Sequence, residues 1–309
     1  MNEVKRYKVY IYGAGHAYNI LSSYLHLYKE KIEVLGIVTT NHIPYRYIDG
    51  YKCILAEDAN WELADYCIVA VEDWEEIRNK LVCYGVESKI LRSHIFSIPN
   101  FDIDKYLNLK NSNISILSNY CLGGHIYREY GLKQMSPTIN MFCSGMQYIE
   151  FLKHYKHYLS MDMVEEKNIR HVDGTLGLEE FWPHGTLDGK IEWVLNHDYI
   201  PGKSIENWNK RRKRVNYNNI VAIMTIQSDE EAYAFEEVDI EKKIGFYYKD
   251  LGLKHVLCVP EWPNISDVIE FDSHFPFYIN NYMRDFVKGV PLIDWMKFLL
   301  GEKNFVRKW

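Results

Sequence analysis

Residues Lys8–Tyr12 alternate in polarity and are rich in β formers, and after Gly15 the apolar positions Ile20, Leu21, Tyr24 and Leu25 recur at helical spacing. The opening therefore predicts a strand, a glycine turn and a helix. Residues 32–38 predict a second strand. Residues 64–71 form a continuous apolar run, which suits a parallel strand buried on both faces. Residues 74–85 read as a helix stopped by Gly85, and 88–96 as another strand. This βαβ rhythm predicts an α/β chain whose first domain, residues 1–98, is a Rossmann-like parallel sheet. Residues 99–113 mix Asn and Asp with little periodicity and read as a connection.

A second α/β domain is predicted for residues 114–309. Residues 114–117 form a strand that runs into Gly123-Gly124 and a short helix, and 137–142 form another strand. Residues 146–159 predict one helix with Tyr148, Leu152, Tyr155 and Leu159 on one face. A strand over 191–196 precedes a helix over 204–215, for which Ser204 is the expected N-cap. The strand over 219–226 ends at an acidic helix, and strands over 243–248 and 255–259 follow. Residues 291–300 predict a last helix with Pro291 in its first turn.

Composition narrows the class. The 309 residues are 47% hydrophobic and 25% charged, as in a folded globular chain. A net charge of −6 argues against general affinity for nucleic acid. The six cysteines contain no C-x-x-C pair or zinc spacing and several sit in apolar runs, so reduced thiols in a cytoplasmic protein are expected. No signal segment or membrane-spanning run is read, and no metal or cofactor is called for. The 25 tyrosines suit cores, interfaces and sugar-stacking surfaces alike, and the sequence leaves a homo-oligomer open.

The first candidate site is Tyr12-Gly13-Ala14-Gly15-His16-Ala17-Tyr18. Gly13 and Gly15 match two glycines of a dinucleotide fingerprint, but Tyr18 occupies the third position. The second strand runs into Val38-Thr39-Thr40-Asn41 and offers no acid for a ribose. The turn thus reads either as a plain structural turn or as a site for another nucleotide or a nucleotide-sugar, rather than for NAD. The segments "IYGAGHA", "LGIV", "IDGYKC" and "DYCIVAV" occur here in the order found in the small N-terminal domain of bacterial sugar acetyltransferases from glycan pathways, which this third of the chain resembles. The resemblance implies a nucleotide-sugar ligand. The hexapeptide repeat that carries acetyl transfer in those enzymes is missing, so that activity is not implied.

The second candidate is Ser118–His125. The strand before it delivers Ser118 and Asn119 to the edge where parallel sheets bind ligands. Gly123 and Gly124 let backbone N–H groups converge on an anion, and Ser118 or Cys121 could serve as nucleophile. Cys121 taken alone reads more simply as a small buried hydrophobe. His197, at the end of another strand, is the expected base. "ISILSNYCLGG", "SPTIN", "WPHG", the histidine after "IEWVL" and "WNKRRKRVNYNN" together resemble a bacterial family of unknown function, known as exopolysaccharide or capsular polysaccharide biosynthesis proteins. The resemblance spans about residues 108–225 and includes Ser118, Asn119, Cys121, Gly123, Gly124, Pro137, Pro183, Gly185, His197, Trp208, Arg211, Arg212 and Asn216. It implies a pathway of surface glycan assembly and little chemistry.

The third candidate is the basic run Lys210–Arg214, which reads either as a solvated face or as a source of one or two phosphate-gripping arginines, Arg211 or Arg212. His154 and His157, three apart, lack the four-residue spacing of helical metal pairs. Two functions follow. One is a transferase or hydrolase acting on an activated or polymer-bound sugar, with Ser118 or Cys121 as nucleophile, His197 as base, Asn119, Gly123, Gly124, Arg211 and Arg212 holding substrate, and Gly13 and Gly15 holding the nucleotide. The other is a non-catalytic nucleotide-sugar binder or assembly partner within a glycan pathway, and the expected small-molecule partner is a nucleotide-sugar or a phosphorylated glycan intermediate.

Overall fold

A computed structural model of the chain describes residues 5–72, 74–98, 101–172, 179–195, 202–259 and 293–306. It is a mixed α/β structure with parallel-dominated sheets, and the chain divides into two compact units, residues 1–104 and 105–309.

The first unit holds β1 (Tyr7–Tyr12), α1 (His16–Leu25), β2 (Ile32–Thr39), β3 (Tyr47–Ile48), β4 (Tyr51–Leu55), β5 (Tyr66–Val69), α2 (Trp74–Cys83) and β6 (Ile90–Arg92). The sheet order is β3-β4-β2-β1-β5-β6. All pairs are parallel except β3 with β4, which Asp49 and Gly50 join through a turn at φ +50° and +82°. The chain leaves β1 toward β2 on one side and returns to β5 on the other, so the strand order reverses at β1.

The second unit begins within α3 (Ile103–Asn111), where the sequence predicts only a connection. Ile103, Tyr106 and Leu107 are buried at helical spacing, and Asp102 accepts the N–H of Asp104 at 2.9 Å to start the turn. Then come β7 (Ser115–Ser118), α4 (Leu122–Glu129), α5 (Gly145–Lys153), α6 (Tyr155–Ser160), β8 (Val164–Val172), β9 (Glu179–Leu187), β10 (Ile191–Val194), α7 (Lys203–Arg212), β11 (Ile220–Thr225), α8 (Asp229–Glu236), β12 (Lys242–Tyr247), β13 (Val256–Cys258) and α9 (Trp295–Leu299). Strands β13-β12-β11-β7 make one parallel sheet, and β10-β9-β8 make an antiparallel one.

Several expectations shift in detail. The helix expected over 146–159 is broken at His154, whose φ of −124° leaves the α region. In the expected strand 137–142 only Phe142 pairs, with Val194, because Asn140 turns the chain at φ +57°. Helix α7 starts one residue before Ser204 and is capped by Gly202, and α9 is capped by Asp294. Pro291 lies outside the described residues.

Both faces of the β11 sheet are covered. Ala222 and Met224 pack with Trp208, Phe235, Phe151 and Trp193 on one face. On the other, Val221 and Ile223 are buried, and the Phe246 ring lies 6.1 Å from that of Trp295 in α9.

Candidate functional site

The first unit offers a cavity of about 350 Å3 at the C-terminal edge of its sheet. Ala17, Ile20, Leu21 and Tyr24 of α1 line one side, Val69, Val71 and Glu72 stand at the end of β5, and Arg92, Ser93, His94 and Ser97 close the β6 side. Gly13 and Gly15 precede it with different roles. Gly13 has φ +107°, and a Cβ there would lie 2.4 Å from the Ala70 carbonyl oxygen, so the turn closes onto the end of β5. Gly15 has an ordinary φ of −95°, and a Cβ on it would meet nothing within 4 Å. Its openness therefore serves no contact of the fold.

Tyr18, at the third glycine position, is 1% exposed and donates from its hydroxyl to Asp49 at 2.8 Å. Thr39 donates to the Asn41 carbonyl at 2.9 Å, and Thr40 pairs with the Tyr12 hydroxyl at 2.6 Å, so the end of β2 is closed with hydroxyls rather than an acid.

In the second unit β7 ends at Ser118, one residue past the strand expected over 114–117. The Ser118 hydroxyl donates to the Tyr120 carbonyl and accepts the Gly123 N–H at 3.2 Å. It is 1% exposed and serves the start of α4. The Gly123 amide is therefore taken from within rather than presented to an anion. The two glycines answer close packing, because a Cβ would lie 2.9 Å from Ser118 Oγ at Gly123 and 2.5 Å from Asn140 Oδ1 at Gly124. Asn119 is also 1% exposed. Its Oδ1 accepts the Thr225 N–H at 2.9 Å and its Nδ2 donates to the Thr225 carbonyl at 3.1 Å, a side-chain rung joining the ends of β7 and β11.

Cys121 is buried, and that burial pushes its thiol up to about 12, with Arg128 pulling weakly the other way. Such a thiol carries almost no thiolate near neutral pH. At about pH 8, iodoacetamide is expected to label the exposed Cys83 first and to spare Cys121 in the native chain. Peptide mass mapping reads the order, and rapid labelling of Cys121 would restore it as a nucleophile. His197 lies outside the described residues.

Arg211 and Arg212 stand elsewhere. Arg212 donates to the Ser160 carbonyl at 3.1 Å, the Leu159 carbonyl at 3.4 Å and Asn209 Oδ1 at 3.2 Å, and pairs with Asp162. Just past α7, the Asn216 N–H donates to Ser115 Oγ at 2.8 Å, at the first residue of β7. The end of α7 thus belongs to the N-terminal edge of the sheet, opposite Ser118. A shared phosphate cleft requires both at one edge, so Arg212 is better described as a clamp on the end of α6. Trp208 is fully buried.

The C-terminal edge also gathers residues that the sequence does not single out. Tyr120 Oη accepts from Gln227 Nε2 at 3.0 Å, and its ring lies 4.8 Å from that of Phe142. Asp229 Oδ1 accepts from the Tyr247 hydroxyl at 2.6 Å and from Lys249 Nζ at 2.9 Å, which hold its carboxyl below the usual range. Glu231 is 9% exposed. In the separate antiparallel sheet His184, from the "WPHG" motif, is 4% exposed and pairs through Nδ1 with Glu192. Among the described residues no three His, Cys, Asp or Glu side chains gather as metal ligands would, and no helix is long and apolar enough to cross a membrane.

The class defined so far is a mixed α/β chain with a ligand-sized cavity in one unit and a polar sheet edge in the other. Residues 92–297 match the family model described as Domain of unknown function (DUF1919), and the chain belongs to that family. Residues 5–91 match a second model, C2185-like, N-terminal. An uncharacterized protein of Haemophilus influenzae is 21% identical over 192 residues, covering 59% of this chain and 88% of that protein. The crystal structure of aspartate semialdehyde dehydrogenase II of Vibrio cholerae, complexed with ASA, aligns at a TM-score of 0.28 and 11% identity over 82% of this chain and 86% of that one. Neither a polysaccharide pathway nor an acetyltransferase comes with these matches.

Proposed function

We propose that the chain takes up a nucleotide-activated sugar at the edge of a Rossmann-like first unit, in the assembly or modification of a bacterial surface polysaccharide. The observation that carries this reading is the cavity of about 350 Å3 beside the strand-order reversal at β1. Small-molecule sites typically measure roughly 300–1,000 Å3 and favour that position in parallel sheets. Ile20, Leu21, Tyr24 and Val71 supply an apolar wall for a ring, and Arg92 supplies the planar fork that suits phosphate. The sugar and the pathway come from the sequence resemblances. Six unpaired thiols and such a ligand suit a cytoplasmic protein.

The buried, bonded Ser118 hydroxyl and the buried Cys121 thiol argue against a covalent intermediate on either residue. They favour direct transfer between donor and acceptor, with His197 retained as candidate base, or binding without catalysis. Calorimetric titration with UDP-glucose and UDP-N-acetylglucosamine is the test. Saturable binding is expected, and Arg92→Gln should weaken it about tenfold, the loss of one charge-assisted contact. NADH should not compete. Indifference of nucleotide-sugar binding to Arg92→Gln, or no binding at all, would remove the cavity as the site.

A further inference from the structure

One carboxylate at the second sheet edge uses only one of its oxygens for the fold. Glu231 is the third residue of α8. Its N–H donates to Ser228 Oγ at 3.1 Å, and its Oε2 accepts the Gln227 N–H at 2.8 Å, which caps the helix start from both sides. That cap works equally well on an exposed surface, yet this side chain is 9% exposed. Oε1 takes no hydrogen bond among the described residues. The carboxylate rests on the first residue of α5, since a Cβ on Gly145 would lie 2.1 Å from both Oε1 and Cδ. Glycine at 145 is what leaves it a seat.

The surroundings are polar and aromatic. Gln227 and Tyr120 bond to one another beside the cap, Phe142 packs on Tyr120, and Ser144 stands exposed at the N-cap of α5 without a side-chain cap bond. Amide and hydroxyl groups satisfy sugar hydroxyls in both directions, and aromatic rings cover the C–H face of a sugar. Burial holds the Glu231 carboxyl above its ordinary range, against the Gln227 bond and with a smaller push from Glu230.

We propose that Glu231 is the anchoring carboxylate of a second-unit site that binds a sugar hydroxyl at Oε1. The choice of a sugar as ligand rests on the function proposed above.

The test is chemical and uses the whole chain. Carbodiimide with glycine ethyl ester at about pH 6.5 reacts through protonated carboxyls, which are scarce among ordinary surface acids. Glu231 is expected to be modified about tenfold faster than the average acid, read by peptide mass spectrometry. Added glucose or UDP-glucose should slow it. Gly145→Ala places a methyl on the seat and should return Glu231 to the average rate, while Glu231→Gln keeps the Gln227 bond and the fold. Modification of Glu231 at or below the average rate, or a fast rate that neither sugar changes, would overturn the proposal. Protection by glucose alone, with no UDP-glucose binding in calorimetry, would sink the nucleotide reading and leave the Glu231 site standing.

Discussion

Asn119→Ala is expected to lower the unfolding free energy of the second unit by about 3–5 kcal/mol, because it strands two buried backbone groups at once. The last ladder pair between β7 and β11 is Ser118 with Ile223, and beyond it the Asn119 amide takes over, bonding both the N–H and the carbonyl of Thr225. Each buried group left unpaired costs roughly 1–3 kcal/mol. Asn119→Asp should rescue little, since a carboxylate accepts the Thr225 N–H but faces the Thr225 carbonyl with a negative charge. Urea unfolding followed by hydrogen exchange at Thr225 separates this unit from the first. A loss below about 1 kcal/mol would mean that water replaces the rung.

Gly13→Ala should cost the first unit about 3 kcal/mol or more, near the upper end for a residue forced into a sparsely populated backbone region. Its φ is +107°, and the new methyl would stand 2.4 Å from the Ala70 carbonyl oxygen and 2.7 Å from Val71 Cγ1. Ala70 has little room to retreat, because its N–H is tied to the Tyr12 carbonyl at 2.8 Å. Gly15→Ala is the matched control. Its φ is ordinary and the space is open, so the melting temperature should hold or rise slightly, by the equivalent of about 0.4–1 kcal/mol. Equal losses in both variants would contradict the division of roles between the two glycines.

The strands were the most legible part of the chain. The runs over 8–12, 64–71, 114–117 and 219–226 are continuous or alternating β formers, and each holds a parallel strand. The hairpin β8–β9 was not legible, since "VEEKNIRHV" alternates weakly and its partner contains a proline. Helix α3 was hidden because its stripe, Ile103, Tyr106 and Leu107, is short and set among Asn and Lys. At the site, sequence marks where residues sit along the chain but not what they bond to. Ser118 reads the same as nucleophile and as turn hydroxyl until the Gly123 amide is seen on its oxygen. Glu231 carried one usable signal, the Ser228-x-x-Glu231 capping box, which marks a helix start and says nothing of burial. Gly145, the residue that seats it, has an unremarkable place in the sequence at the head of a helix.

The cover that α9 gives to the second face of the β11 sheet sets a timetable for synthesis. Phe246 is made some fifty residues before Trp295, and Trp295, Met296, Phe298 and Leu299 are all buried. While the ribosome works through the intervening stretch, the Phe246 side of the parallel sheet has no helix α9 to lie against. Such transient apolar surface is what draws chaperones or a second nascent chain. The first unit, complete by about residue 104, carries no such delay. Synthesis therefore favours a folded first unit waiting on a second one whose Phe246 side still lacks α9, and a ribosome stalled before residue 295 would leave that side as the aggregation-prone surface.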